Sequence, residues 1–105
     1  MELMAAIHER KSYRKPYKPD PLPAEAIKEI LEAGVSAPSG CNQQTTRFIG
    51  VNDPELAHKL AEIYDKPWAL TAPAAILLLT KEHVSYRGNS YHIHDYSAGA
   101  ENILL

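Results

Sequence analysis

Two short stretches of this chain carry side chains arranged in a way that suits chemistry. In the first, Arg10, Lys11 and Arg14 surround Ser12, with Tyr13 and Tyr17 alongside. A hydroxyl and several cations converging on one point can make charge-assisted hydrogen bonds to a single dianion, which reads as a phosphate clamp. The same cations also suit the C-terminal end of a preceding helix, where each complements the dipole by about 0.3–1 kcal/mol. Both readings stand at this level. The second stretch is Ala37-Pro38-Ser39-Gly40-Cys41-Asn42-Gln43-Gln44. Its small residues, its proline and its hydrogen-bonding side chains describe a loop whose backbone can come close to a flat polar ligand.

Other candidate constellations are weaker. His92-Ile93-His94-Asp95, with His83 nearby, has the residue types of a metal site. On a helix, however, His92 and His94 point about 200° apart and cannot ligate from one side. His92 or His94 paired with Asp95 remains as a metal option. The preferred reading is a solvated helix N-terminus in which the dipole favours Asp95. Cys41 has no identifiable base beside it and reads as a small loop residue rather than a nucleophile. Neither a G-x-G-x-x-G nor a Walker A pattern occurs. A dedicated dinucleotide fold is therefore not expected within these residues, and no metal ligand is assigned.

The elements that must position these stretches follow from periodicity and breakers. Leu3, Met4 and Ile7 recur at helical spacing, predicting a short helix over about Glu2 to Lys11 with one buried stripe. Prolines at 16, 19, 21 and 23 forbid its continuation. Leu22-Pro23 opens a second helix reaching Gly34 or Ser36, with Ile27, Ile30 and Leu31 on its apolar face. Arg47–Val51 reads as a strand. Asp53 then caps a third helix with Pro54 at its first position, and Leu56, Leu60, Ile63 and Tyr64 form its expected buried side. Ala69 to Pro73 end that helix, and the unalternating run Ala74–Leu79 reads as a strand covered on both faces. Strand, helix, strand predicts a right-handed parallel unit. Lys81–Ser90 reads as a loop, and a last helix begins near Tyr91, with Ile93, Tyr96 or Ser97, Ala100, Ile103 and Leu104 on one ridge. Its small residues Ser97-Ala98-Gly99-Ala100 would let another helix approach closely, either within the chain or from a second copy.

Bulk properties bound the function. With 105 residues, 45% of them hydrophobic and 23% charged, the chain has room for one globular domain. A net charge of -2 gives no global field for nucleic acid or an anionic membrane, so an anion site must be local. A lone cysteine fits a reducing compartment, and neither a spanning segment nor a signal peptide is apparent, so a cytoplasmic protein is expected. Two apolar strands cannot complete a sheet covered on both faces. The expectation is an N-terminal portion of a longer domain, or one whose remaining strands come from a partner chain.

The order of these features resembles the nitroreductase-like flavoproteins. The resemblance is carried by Arg10-Lys11-Ser12-Tyr13-Arg14 after a first helix, by Pro23-Ala24-Glu25, and by Ala37-Pro38-Ser39-Gly40-Cys41-Asn42 before Arg47–Val51. It continues through Asp53-Pro54-Glu55, Ala72-Pro73-Ala74-Ala75-Ile76-Leu77 and the helix Asp95–Leu105. It covers essentially the whole chain, and it is the order and spacing of the motifs that make it specific. Where that family often continues Asn-x-Gln-Pro-Trp, this chain has Asn42-Gln43-Gln44-Thr45-Thr46, without the proline and tryptophan.

The resemblance implies an α+β fold with helices around a mixed sheet, residues 1–105 forming the N-terminal part of a single domain that breaks off after the long central helix. It implies an obligate homodimer with FMN at the interface. By position, Arg10 and Ser12 would take the phosphate and Lys11 its surroundings. Arg14 would reach the ribityl chain or the pyrimidine edge, where a cation stabilises the charge of the reduced flavin. Pro38, Ser39, Gly40 and Asn42 would come from the partner subunit. The chemistry would lie at flavin N5, taking hydride from NAD(P)H and passing electrons to a small-molecule acceptor such as a nitroaromatic or quinone. Two competing readings are a non-catalytic interaction module lacking a complete flavin site and a related flavin chemistry such as reductive dehalogenation.

Overall fold

A computed structural model describes residues 1–84 and 86–105; Ser85, inside the predicted loop, lies outside the described residues. The fold is α+β. Among the described residues it contains four α-helices and one two-stranded sheet. The helices are α1 (Leu3–Glu9), α2 (Ala24–Val35), α3 (Pro54–Glu62) and α4 (His92–Leu104), and the paired strands are β1 (Arg47–Val51) and β2 (Ala75–Leu79). Short 3₁₀ turns lie at Gly40–Asn42, Ala69–Thr71 and Tyr86–Gly88. The chain divides into two compact units, residues 1–28 with 50–76 and residues 29–49 with 77–105.

In the first unit, α1 ends where Arg10 leaves helical geometry at ψ 126° while its N–H still donates to Ala6 O. The segment that follows is tied down twice. Tyr13 Oη donates to Pro16 O at 3.0 Å, and the Tyr17 N–H donates to Thr71 Oγ1 at 2.8 Å. The tyrosine rings pack with centroids 5.1 Å apart. The helix starts as predicted at Pro54, with Asp53 accepting from the Glu55 N–H at 3.4 Å. An N-cap of this kind is worth about 1 kcal/mol. Asp53→Ala is therefore expected to lower stability by that order, read as a lower urea midpoint at unchanged slope.

Two faces differ from expectation. The predicted buried stripe of α1 is open, with Leu3, Met4 and Ile7 at 68, 55 and 46% exposure. In α3 the buried residue is Ala57, whereas Ile63 is 83% and Tyr64 59% exposed. Periodicity groups residues on one face, but which arc of that face meets a neighbour depends on what packs there. Leu56 is exposed as well, and the helix ends at Glu62, so Ile63 and Tyr64 fall in the turn beyond it and leave the predicted face. β1 has its predicted bounds, whereas the coverage of β2 departs from prediction. β1 alternates exposed and half-buried residues up to the buried Val51, and β2 is half-buried until Leu79, which is exposed. Among the described residues nothing covers β2 on both faces.

The second unit gathers around Phe48. A Cβ added to Gly34 would lie 2.8 Å from Phe48 Cε1, and one added to Gly99 would lie 2.6 Å from Phe48 Cζ. The absence of side chains on α2 and α4 at these points admits the ring between them. Asn102 Nδ2 donates to Ala33 O at 3.1 Å and ties the same helices further along. The small residues of α4 thus serve packing within the chain at Gly99. Ile93 and Leu104 of its predicted ridge remain exposed.

Candidate functional site

In the first unit, Lys11, Ser12 and Arg14 are exposed and Arg10 is half-buried at the end of α1. The anchors at Tyr13 and Tyr17 hold the backbone of this segment, so its cations and hydroxyl are offered from a fixed frame rather than a free tail. A planar guanidinium fork, an ammonium and a hydroxyl are donors only or donor-rich, which is the chemistry a phosphate dianion requires.

In the second unit, the loop after α2 closes on itself. Ser36 Oγ donates to Glu32 O at 2.8 Å as the helix ends. The Asn42 N–H donates to Ser39 O and the Gln43 N–H to Gly40 O, making the 3₁₀ turn. Ser39 Oγ accepts from the Gln44 N–H at 3.0 Å, which leaves its own hydroxyl proton available to donate. Cys41, Asn42 and Gln44 sit at φ 53, 54 and 52°. Left-handed conformations at non-glycine residues cost about 1 kcal/mol or more each and persist where surroundings enforce them. Arg47 Nη1 braces the far end by donating to Gln44 O at 2.7 Å.

The loop forms one wall of a cavity of about 550 Å³, shared with Leu31, Phe48, Thr46 and Asp95. Of the predicted loop contacts, Pro38, Ser39 and Asn42 line this cavity. Gly40 instead packs against Tyr91, where a Cβ would meet the ring at 2.6 Å from Cδ2. The site residues predicted from sequence thus fall into two groups. Arg10, Lys11, Ser12 and Arg14 lie in the first unit, and Pro38, Ser39, Gly40 and Asn42 in the second.

Asp95 corrects the reading of a solvated helix N-terminus. It is 7% exposed and accepts the Gly40 N–H through Oδ1 at 2.8 Å. A dipole argument places an acid in the first turn but does not show that a loop 55 positions earlier in the chain folds back over it. The signal available in sequence was a single acid followed by the aromatic Tyr96 and a run of small residues. The histidines also differ from that reading in part: His92 is half-buried, with its ring 6.3 Å from His83, whereas His94 is exposed and meets Tyr91 edge-on. Among the described residues no group of His, Cys, Asp and Glu could hold a metal ion. No helix among them is long and apolar enough to cross a membrane.

A family model described as the nitroreductase family matches residues 7–105. An Archaeoglobus fulgidus protein named as a candidate NADH dehydrogenase/NAD(P)H nitroreductase is 35% identical over 105 residues, spanning 99% of this chain and 60% of its own length. The solved structure of an FMN-dependent nitroreductase from Clostridium difficile R20291 is 28% identical with a TM-score of 0.77, covering 96% of this chain and 57% of that one. A nitroreductase family protein from Clostridium novyi NT shares the fold at a TM-score of 0.81 and 21% identity, covering 99% of this chain and 62% of that one. The chain thus spans little more than half the length of the proteins it matches.

Proposed function

The chain belongs to the nitroreductase family, and from that premise we propose that residues 1–105 form the N-terminal part of an FMN-dependent NAD(P)H oxidoreductase that works as a homodimer. The observation that carries this reading is the donor set Arg10, Lys11, Ser12 and Arg14, held by the Tyr13 and Tyr17 anchors within the matched residues. Arg10 and Ser12 bind the FMN phosphate, and Lys11 adds positive potential around it. Arg14 reaches the ribityl chain or the pyrimidine edge, where its fixed charge favours the reduced flavin. The partner subunit contributes the wall formed by Pro38, Ser39, Gly40 and Asn42, which orients the ring and limits water. Bound FMN supplies the redox chemistry that links NAD(P)H to a nitroaromatic, quinone or similar acceptor.

The test is flavin binding by the purified protein. Added FMN should be taken up with quenching of its fluorescence, and NAD(P)H oxidation should then depend on FMN. Protein that takes up no FMN sinks this reading. The exposed Ile93 and Leu104 of α4 favour one alternative, an interaction module without a complete flavin site. Stable self-association of colourless protein in the presence of excess FMN would support that alternative.

A further inference from the structure

The loop after α2 is held by the first turn of α4 at one atom. The Gly40 N–H meets Asp95 Oδ1 at 2.8 Å, while Asp95 Oδ2 is buried with no hydrogen-bond partner among the described residues. A buried carboxyl group with one oxygen unpaired stabilises a fold poorly, because its desolvation is only partly offset. An aliphatic side chain would fill the same space at lower cost. It could not accept the Gly40 N–H. Around that bond the chain takes a course it would not hold alone, with Cys41, Asn42 and Gln44 all left-handed. Tyr91, one helical turn before Asp95, receives the Asp95 N–H on its carbonyl and lays its ring against Gly40. Ring and carboxylate together fix the Gly40 peptide from two sides.

We infer that Asp95 is a positioning residue: by accepting the Gly40 N–H it holds the left-handed turn that presents Pro38, Ser39 and Asn42, and, on the function proposed above, it thereby sets the flavin-facing wall. The loop itself offers two reporters that need no flavin. One is hydrogen exchange at the Gly40 amide. The other is alkylation of Cys41, which is exposed and is the chain's lone cysteine.

The experiment compares wild type, Asp95→Leu and Asp95→Asn, each purified and studied first without FMN. In Asp95→Leu, Gly40 exchange should rise about tenfold or more and Cys41 alkylation by iodoacetamide should change several-fold, while amides of α4 and the sheet keep their protection. The melting temperature of this variant should change little, since loss of the Gly40 bond is offset by removal of an unpaired buried oxygen. Asp95→Asn retains an acceptor oxygen, and both reporters should stay within about threefold of wild type. Titrated afterwards with FMN, Asp95→Leu should bind about tenfold or more weakly and Asp95→Asn should recover most of that loss. Unchanged Gly40 exchange in a folded Asp95→Leu protein would overturn the inference. If that variant does not fold, the wild-type amide decides: slow exchange at Gly40 sustains the inference, and exchange at the rate of an open loop overturns it. A wild-type protein that ignores FMN removes the proposed function, yet the Gly40 readout still stands. A loosened loop with unchanged FMN affinity overturns the flavin-facing role alone.

Discussion

Gly40→Ala should destabilise the protein by about 1–3 kcal/mol and displace the loop that follows α2. The reason is space, not backbone freedom, since Gly40 is absent from the positions with positive φ. A Cβ there would fall against the Cβ, Cγ and Cδ2 atoms of Tyr91, at 2.6 Å from Cδ2. These atoms are close to the Tyr91 backbone and cannot swing aside as the tip of a flexible chain can. Rotating the ring would also give up its edge contact with His94, whose centroid lies 6.3 Å away. Either Tyr91 moves, disturbing the start of α4, or the Gly40 peptide retreats and stretches its bond to Asp95. Urea unfolding should show the loss as a lower midpoint at unchanged slope. Adding Tyr91→Ala should relieve the clash, so that the double variant is more stable than the sum of the single effects implies. A Gly40→Ala protein within about 0.5 kcal/mol of wild type would show that the loop yields freely, contrary to the packing described.

The second large effect lies at the basic segment. Arg10→Ala combined with Arg14→Ala is expected to weaken FMN binding by at least about 100-fold, because charge-assisted hydrogen bonds contribute about 1.5–3 kcal/mol each. Stability should change little by comparison. Arg14 is exposed, and the backbone of the segment is tied down at Tyr13 and Tyr17. Arg14→Lys keeps charge but not the planar fork, so a partial loss is expected if the guanidinium makes more than one bond. The affinity left in the double alanine variant should be less sensitive to salt than that of wild type, since screening acts on the charges that have been removed. Equal FMN affinity in wild type and the double variant would remove the phosphate role from this segment.

How much of this was legible in the chain can be followed residue by residue. Pro23, Asp53 and Pro54 announced helix starts through geometry that any chain must obey, and α2 and α3 begin beside them. Arg47–Val51 lacks helical periodicity and is bounded by polar residues, and β1 has those limits. Recognising the α+β fold and the family likewise needed only the order of short motifs, and the match over residues 7–105 agrees. Burial was much less legible. Leu56, Ile63 and Tyr64 had the spacing of a buried face, yet Ala57 is the buried residue, and α3 ends at Glu62, so Ile63 and Tyr64 lie past the helix whose face they were to share.

The local order of elements, the grouping of donors in Arg10–Arg14 and the turn chemistry of Ala37–Gln44 were therefore set by neighbouring residues, whose steric and hydrogen-bonding preferences act over a few positions. Tertiary structure alone decided that Asp95 is buried rather than solvated, that its acceptor meets the Gly40 N–H, and that Gly34 and Gly99 make room for Phe48. Each of these joins residues far apart in the chain. Such contacts depend on which surfaces are brought together, and no local preference of an aspartate or a glycine carries that information.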